Sequence, residues 1–369
     1  FMIRILQSVN IMDRAGLETM LMNYYKNIDR STVQFDFLTH RNEIGAYENE
    51  IKELGGQVYH APRLYPQNYL QYFIYMKKFF KEHSEYKIIH SHIDSMSYFP
   101  LLAAKKSGIP IRIGHSHNSK LDKDLKYPIK LYALKGMPKV ANIYFSCGKL
   151  AGKFMWKNRK FKIVHNAIDL TNFAFNESLR RTIRNKLNIT DDTFVIGHVG
   201  RFNKVKNQLF LLDIFNEIVK EKPNSLLILI GKGEDEIKIR DKIHELHLNG
   251  KVSILIDRPD VYELYKSFDI FVMPSLFEGL PVVGVEAQAN GLPCIFSKNI
   301  SDEIILTHNA EQLLLMDNAK EWADKILSKD IIRNSEACSE LKRSGYDIKT
   351  EAKKLEEWYL NTYNQIKDN

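Results

Sequence analysis

The sequence predicts an α/β protein built on two doubly wound parallel sheets. Three observations carry that expectation. Short apolar runs alternate with amphipathic helical stretches along most of the 369 residues, the pattern of successive strand–helix–strand units. Several runs, such as Leu226-Leu227-Ile228-Leu229-Ile230, are apolar without a break, which suits central strands covered on both faces. The alternation also restarts near residue 194, after a polar, turn-prone stretch at 165–192. Two sheets are therefore expected to share the strands.

In the first half, strands are expected at 3–8, 33–38, 58–60, 87–92, 111–115 and 143–146. In the second half they are expected at 194–199, 226–230, 252–256, 269–273, 294–296 and 313–315. Twelve strands are too many for one modest sheet, and at about 150 residues per domain the length allows two or three domains. The alternation ends near Asp347. Beyond it Ile348, Ala352, Leu355, Tyr359, Tyr363 and Ile366 recur at helical spacing, describing one amphipathic terminal helix. That helix has the option of crossing back to the first domain. No repeat of 20–50 residues and no low-complexity segment is evident.

Composition excludes several classes. Apolar residues make up 44% and charged residues 27%, as in a folded globular chain, so wholesale disorder, collagen-like repetition and a disulfide scaffold are set aside. Cys147, Cys294 and Cys338 lie far apart without metal-ligand spacing, which suits a reducing compartment. The opening segment does not read as a secretory leader, and the apolar region 268–296 is broken by Asp269, Glu278, Glu286 and prolines, so it fails as a membrane span. A cytoplasmic location is expected, with a peripheral contact to the inner membrane face left open. Charge is lopsided. Residues 1–170 hold 26 basic and 14 acidic residues, net +12, against 27 and 31, net −4, in the remainder. The stretch 101–165 alone has 15 basic and 2 acidic residues. That asymmetry points to a polyanionic partner.

Ligands of open α/β sheets bind beyond the carboxyl ends of the strands, so the polar residues that follow each strand are the informative ones. They are Asp13–Gly16, His90-Ser91-His92, His115-Ser116-His117-Asn118, Gly200-Arg201 with Lys206, Gly231-Lys232-Gly233, and Ser275 through Pro281. Both halves load this edge, which suggests a ligand held in a cleft between two domains. In the last segment Gly279 permits close approach of backbone to a ligand. Pro281 fits a first helical position, and the free amides of that turn form an anion site. Glu286 follows five residues on, able to accept hydrogen bonds from ligand hydroxyls. Arg201 and Lys206 supply cations for a diphosphate. Together these are the parts a sugar nucleotide requires.

Phe277-Glu278-Gly279-Leu280-Pro281 through Glu286-Ala287, followed by Gly291-Leu292-Pro293, resembles the E-x7-E signature of retaining glycosyltransferases of family 4, which have the GT-B fold. Gly200-Arg201 with Lys206-Asn207 resembles that family's diphosphate-binding pair, and His165-Asn166-Ala167-Ile168-Asp169 its element at the domain junction. The first loop reads Ala15-Gly16 where the family has Gly-Gly. His90-Ser91-His92 and the run from Ile113 to Asn118 are similar to members that build capsular polysaccharides or exopolysaccharides.

The resemblance implies two Rossmann-like domains facing a central cleft. Residues 1–168, joined by the terminal helix 347–369, would receive the acceptor, and 169–346 would bind the nucleotide-sugar. As catalytic residues it implies His117, Glu278, Arg201 and Lys206. Arg201 and Lys206 would neutralise the diphosphate of the leaving group, Glu278 would contact the donor hexose, and His117 would meet the donor sugar from the first domain. Glu278 as a covalent nucleophile is the lesser alternative. For substrate binding it implies Gly16, Asn118, Gly231, Phe277, Gly279, Leu280, Pro281 and Glu286, the last holding ribose hydroxyls. No metal and no other cofactor is expected.

Other signals are set aside. Asp122-Lys123-Asp124 has the letters of a metal-binding D-x-D motif, but it follows no strand and sits among lysines. Gly231-Lys232-Gly233 lacks the residues of a dinucleotide fingerprint or a P-loop. The histidine pairs 90/92 and 115/117 show no Cys or carboxylate partners for zinc, so His90 and His115 are read as packed or hydrogen-bonded. In 119–139 lysines alternate with Leu, Ile and Tyr, which reads either as a solvated basic face or as a surface for anionic lipid.

The expected function is a retaining hexosyltransferase. It would move a hexose or N-acetylhexosamine from a nucleotide-sugar, UDP by preference, to a glycan acceptor linked to polyprenyl diphosphate. The alternatives are an epimerase or hydrolase of nucleotide-sugars on the same fold, or a basic nucleic-acid-binding protein. No recognised nucleic-acid module favours the last.

Overall fold

The computed structural model describes residues 2–121 and 124–367. Asp122 and Lys123 of the D-x-D triplet lie outside the described residues. Contacts divide the chain into two compact units, one of residues 1–168 with 347–369 and one of residues 169–346.

The first unit carries a parallel sheet of seven strands: β1 (Ile3–Val9), β2 (Val33–Thr39), β3 (Val58–His60), β4 (Ile88–Ser91), β5 (Ile111–Ser116), β6 (Ile143–Ser146) and β7 (Lys162–Ile163). Their order is β3-β2-β1-β4-β5-β6-β7. Strand alternation sorts the side chains. Ile3, Ile5, Ile88, Ile111 and Ile113 enter one apolar core, while Leu6 and Ile89 enter the core on the opposite face. By the same period of two, Gln7, His90 and His115 belong to the first face. The helix Ile348–Lys367 covers it with Ile348, Ala352, Leu355 and Tyr359 buried. The terminal helix therefore completes the first unit. Ile168, at which the chain leaves, pairs with Asp347, at which it returns.

The second unit has a parallel sheet of six strands: β8 (Phe194–Val199), β9 (Ser225–Ile230), β10 (Val252–Leu255), β11 (Ile270–Met273), β12 (Cys294–Ser297) and β13 (Ala310–Leu313), in the order β10-β9-β8-β11-β12-β13. In each sheet the order reverses once, between β1 and β4 and between β8 and β11. The loops leaving those strands flank a crevice at the switch point, the general ligand position of such sheets.

Three expectations are corrected. The last strand is not at 313–315: β13 pairs Ala310–Leu313 with Cys294–Ser297, and Leu314 is exposed beyond its end. The two-residue edge strand β7 was not anticipated. The polar stretch 165–192 is not mainly turns, since it holds the helices Leu170–Phe173 and Glu177–Lys186. The longer one is capped by Asn176, whose side chain accepts from the Leu179 amide at 2.8 Å. It is anchored by Arg180 and Arg184, both on the Asp269 carboxylate at 2.6 and 3.0 Å. Asp269 in turn accepts from the Val195 amide at 2.7 Å, joining the helix to β8 and the lead-in to β11. Among the described residues no helix is long and apolar enough to cross a membrane.

Candidate active site

The switch point of the second unit is built from the loops after β8 and β11. Three hydrogen bonds stitch them to each other and to the helix Gln208–Glu221. The Leu276 amide donates to Val205 O at 2.8 Å, Asn207 Nδ2 to Pro274 O at 3.0 Å, and Gln208 Nε2 to Arg201 O at 2.9 Å. Asn207 sits at the helix start with φ +59°, a left-handed conformation that asparagine tolerates better than most residues. The loop after β9 closes against the first of these. Gly231 has φ +147°, and a Cβ there would lie 2.1 Å from Gly200 O; one on Gly233 would lie 2.2 Å from Phe202 O. Gly231 is thus required by packing within the chain.

This framework brings Lys206 and Glu278 together. Lys206 Nζ lies 2.8 Å from Glu278 Oε1, and the two side chains are 15% and 19% exposed, so the pair is half-buried with access to solvent. Glu278 is held by backbone bonds: its amide donates to Asn299 O, and its carbonyl accepts from the Ser301 amide. Phe277 is exposed beside it. No neighbouring atom lies within 4 Å of a Cβ placed on Gly279. Leu280 and Pro281 lead into the helix Val282–Ala289. Pro281 is not the first helical residue: its ψ of +122° is extended and makes it the N-cap.

Glu286 lies in the second turn of that helix and receives the Tyr265 hydroxyl on Oε2 at 2.7 Å. Burial pushes its carboxyl up to about 7, while the tyrosine bond pulls it the other way. Tyr265 is fully buried and orients the carboxylate. It was not anticipated, and no local signal marks it, because it lies 21 residues away in sequence. Arg201 is not gathered with Lys206. It is 71% exposed and turned to Glu234 at 3.2 Å.

The first unit holds its own polar cluster at the edge of β4 and β5. The two histidine pairs, separate in sequence, converge. His90 Nε2 and His115 Nδ1 are 3.1 Å apart in nearly parallel rings, and His92 Nδ1 and His117 Nε2 are also 3.1 Å apart. Tyr359, from the terminal helix, meets His90 Nδ1 at 2.6 Å. Gln7 Oε1 meets His92 Nε2 at 2.8 Å. The ligand atoms of His90, His92 and His115 lie within 4.8 Å of one another, a convergence that spacing within each strand did not reveal. Burial, reinforced by the neighbouring imidazoles, holds His90, His92 and His115 well below the ordinary histidine range. Burial pushes His117 down to about 3. All four are therefore neutral, and with the Gln7 amide oxygen facing His92 the proton bookkeeping fixes the tautomers of His92 and His117. The Gln7 carbonyl takes the His92 Nε2 proton, so His92 Nδ1 accepts from His117 Nε2–H. That leaves His117 Nδ1 as an acceptor.

Asp94 fixes the backbone there. Its Oδ1 accepts from the amides of His117 and Asn118 at 2.8 and 3.1 Å, and its Oδ2 accepts from Asn118 Nδ2 at 2.6 Å. The Asn118 amide is thereby committed to Asp94. Gln7 and Asp94 were also missed, although a lone glutamine inside an apolar strand was a readable signal. Gly16 opens the helix Gly16–Asn27, and no neighbouring atom lies within 4 Å of a Cβ placed there.

The family model for glycosyl transferases group 1 matches residues 180–347. EpsF of Bacillus subtilis (strain 168), named as a glycosyltransferase, is 36% identical over 332 residues, spanning 88% of this chain and 86% of its own length. The chain belongs to the glycosyl transferases group 1 family. As a group 1 glycosyltransferase it is a transferase enzyme, and two further relatives extend the comparison. A UDP-Gal:alpha-D-GlcNAc-diphosphoundecaprenol alpha-1,3-galactosyltransferase of Escherichia coli is 24% identical over 298 residues, 75% of this chain and 76% of its own. The capsular polysaccharide biosynthesis glycosyltransferase CapH of Staphylococcus aureus is 23% identical over 376 residues, 98% of this chain and 99% of its own. The GT-B architecture is shared with the solved structure of Anabaena HepE in complex with UDP, at a TM-score of 0.79 and 19% identity, over 98% of this chain and all of that one.

Proposed function

We propose that this group 1 glycosyltransferase moves a hexose or N-acetylhexosamine from a UDP-sugar, with retention of configuration, to a glycan carried on polyprenyl diphosphate during capsule or exopolysaccharide synthesis. The observation that carries the proposal is the half-buried Lys206–Glu278 pair at the switch point, beside the start of the helix that bears Glu286. A donor diphosphate displaces Glu278 as the partner of Lys206, which frees the carboxylate for the sugar's hydroxyls. Glu286, oriented by Tyr265, receives the ribose hydroxyls. The bond between the anomeric carbon and the β-phosphate oxygen breaks, and UDP leaves with its new charge held by Lys206. The acceptor oxygen forms its bond on the same face, and its proton passes to the departing phosphate. Lysine supplies the charge neutralisation, so the reaction is proposed to be metal-independent.

The UDP complex of HepE and the diphosphoundecaprenol substrate in the name of the Escherichia coli relative support the choice of donor and acceptor. A thermal-shift screen of UDP-, GDP- and ADP-sugars tests the donor: UDP-sugars should raise the melting temperature, and a response to GDP- or ADP-sugars alone would overturn the choice. The excess of basic residues in 101–165 supports peripheral attachment to the inner face of the membrane. Vesicles containing phosphatidylglycerol should retain the protein and salt should release it, whereas equal retention by phosphatidylcholine alone would refute the attachment.

A further inference from the structure

The first unit contains a cavity that the donor reading leaves unused. It has a volume of about 210 Å³ and opens at the carboxyl ends of β1 to β4. Asn10 follows β1, His40 and Arg41 follow β2, Arg63, Leu64 and Tyr65 follow β3, and Met96 follows β4; Asp124, Lys126 and Lys130 close the rim. Four of these residues are cationic and one is acidic.

Partnering divides the cations. Arg63 is bound to Glu43, and Lys130 to Asp124 at 2.9 Å. Arg41 and Lys126 form no direct ion pair among the described residues, although Glu43 and Asp124 lie near enough to feel their charge. Lys126 is instead held over the Tyr65 ring at 4.1 Å, which fixes the ammonium without neutralising it. Two cations free of a direct ion pair, in a cavity that carries four cationic residues against one acidic, are arranged for a ligand with more than one negative charge. His40 adds no charge. It is buried, bonded to Val9 O and the Tyr72 hydroxyl, and pushed down to about 4 by burial.

The surroundings narrow the class of ligand. Leu64 and Met96 line the cavity itself. Leu125, next to Lys126 in sequence, is fully exposed, and Leu70, five residues beyond Tyr65, is 77% exposed. Solvated aliphatic side chains flanking both cation-bearing segments suit an amphiphile better than a free phosphate or a nucleotide.

We propose that this cavity binds the diphosphate of a prenyl-diphosphate-linked acceptor, with Arg41 and Lys126 as its principal cations and the neighbouring aliphatic residues meeting the start of the lipid chain. The assignment rests on the acceptor class named above, but its test does not depend on the donor site. Geranyl diphosphate is titrated calorimetrically into the full chain carrying Lys206→Ala, so that the second unit's diphosphate site does not contribute. Binding should weaken roughly tenfold or more when Arg41→Ala and Lys126→Ala are added, the usual scale for losing charge-assisted bonds. Undiminished binding overturns the proposal.

Inorganic pyrophosphate should bind more weakly than geranyl diphosphate. Equal affinity would show that the cavity reads phosphate alone and would refute the lipid assignment. In the chain with Lys206 intact, UDP affinity should be the same with and without the two substitutions, which also reports that the protein is folded. If UDP does not bind even there, while geranyl diphosphate binding still depends on Arg41 and Lys126, the donor reading falls and the cavity assignment stands.

Discussion

Lys206→Ala should lower transfer by roughly 10²–10³-fold, the scale found when one positioned donor to a developing oxyanion is removed. The cost comes from two directions. The diphosphate loses the cation that lies 2.8 Å from Glu278 in the free protein. Glu278 also loses its partner and becomes an unbalanced carboxylate at the mouth of the site, repelling the same diphosphate. Arg201 is a poor substitute, since it is exposed and engaged with Glu234. Stability should fall by about 1–3 kcal/mol, because the variant leaves a largely buried carboxylate without its partner. Glu278→Gln separates the two contributions: it removes the competing carboxylate, so UDP should bind at least as tightly while transfer falls. Rates and UDP affinities for both variants check this. Transfer at the parental rate by the Lys206 variant would remove the pair from the proposed mechanism.

Acidification should open the first unit before the second. Five histidines, the buried His40, His90, His92 and His115 and the half-buried His117, have their protonation depressed by the fold. Below about pH 6.5 each is protonated in the unfolded chain but not in the native one. Stability is thus present above the unfolded value and lost as pH falls toward the folded values, at about 1.4 kcal/mol per pH unit for each proton withheld. The four clustered rings titrate together rather than one by one. Even a single shared deficit of two protons costs about 4 kcal/mol at pH 5, a large share of ordinary domain stability.

The second unit contains one such group, His198, pushed down to about 4. It also contains Glu286, whose sign is opposite. With a folded value of about 7, Glu286 is protonated in the native state between pH 7 and the ordinary carboxyl range, so acid in that window favours the fold. Hydrogen exchange read by peptide should therefore show protection of β4 and β5 collapsing between pH 6 and 5 while β8 and β9 remain protected. Equal protection of β4 and β5 at pH 5 and pH 7.5 would refute the assignment of neutral histidines.

Much of this was legible from the chain itself, because sheet order and helix docking depend on periodicity that a linear sequence displays. The run Leu226–Ile230 is a central strand, and the stripe from Ile348 to Ile366 is one helix. What escaped depended on contacts between distant residues. The helix Glu177–Lys186 is too polar to announce itself, and it is secured by arginines on Asp269, more than 80 residues away. β13 was displaced because Leu313, Leu314 and Leu315 outweighed the less apolar residues that pair with β12. In the site, the types and spacing of Lys206, Glu278 and Glu286 could be read. Their electrostatic state could not, since it arises from a tyrosine, a salt bridge and burial that appear only on folding. The histidine cluster illustrates the same limit: two unremarkable pairs become one neutral network when β4 and β5 lie side by side.

The return of the chain to Ile168 reverses the order in which the two units mature on a ribosome. Translation delivers residues 1–168 first, yet one face of their sheet, packed by the helix Gly16–Asn27, is only partly covered until Ile348, Ala352, Leu355 and Tyr359 are made. The segment 169–346 is contiguous and can finish as soon as it is exposed. The half synthesised first is thus the last to close. For the whole intervening time the uncovered portion of that apolar face is the part of the nascent protein most in need of a chaperone.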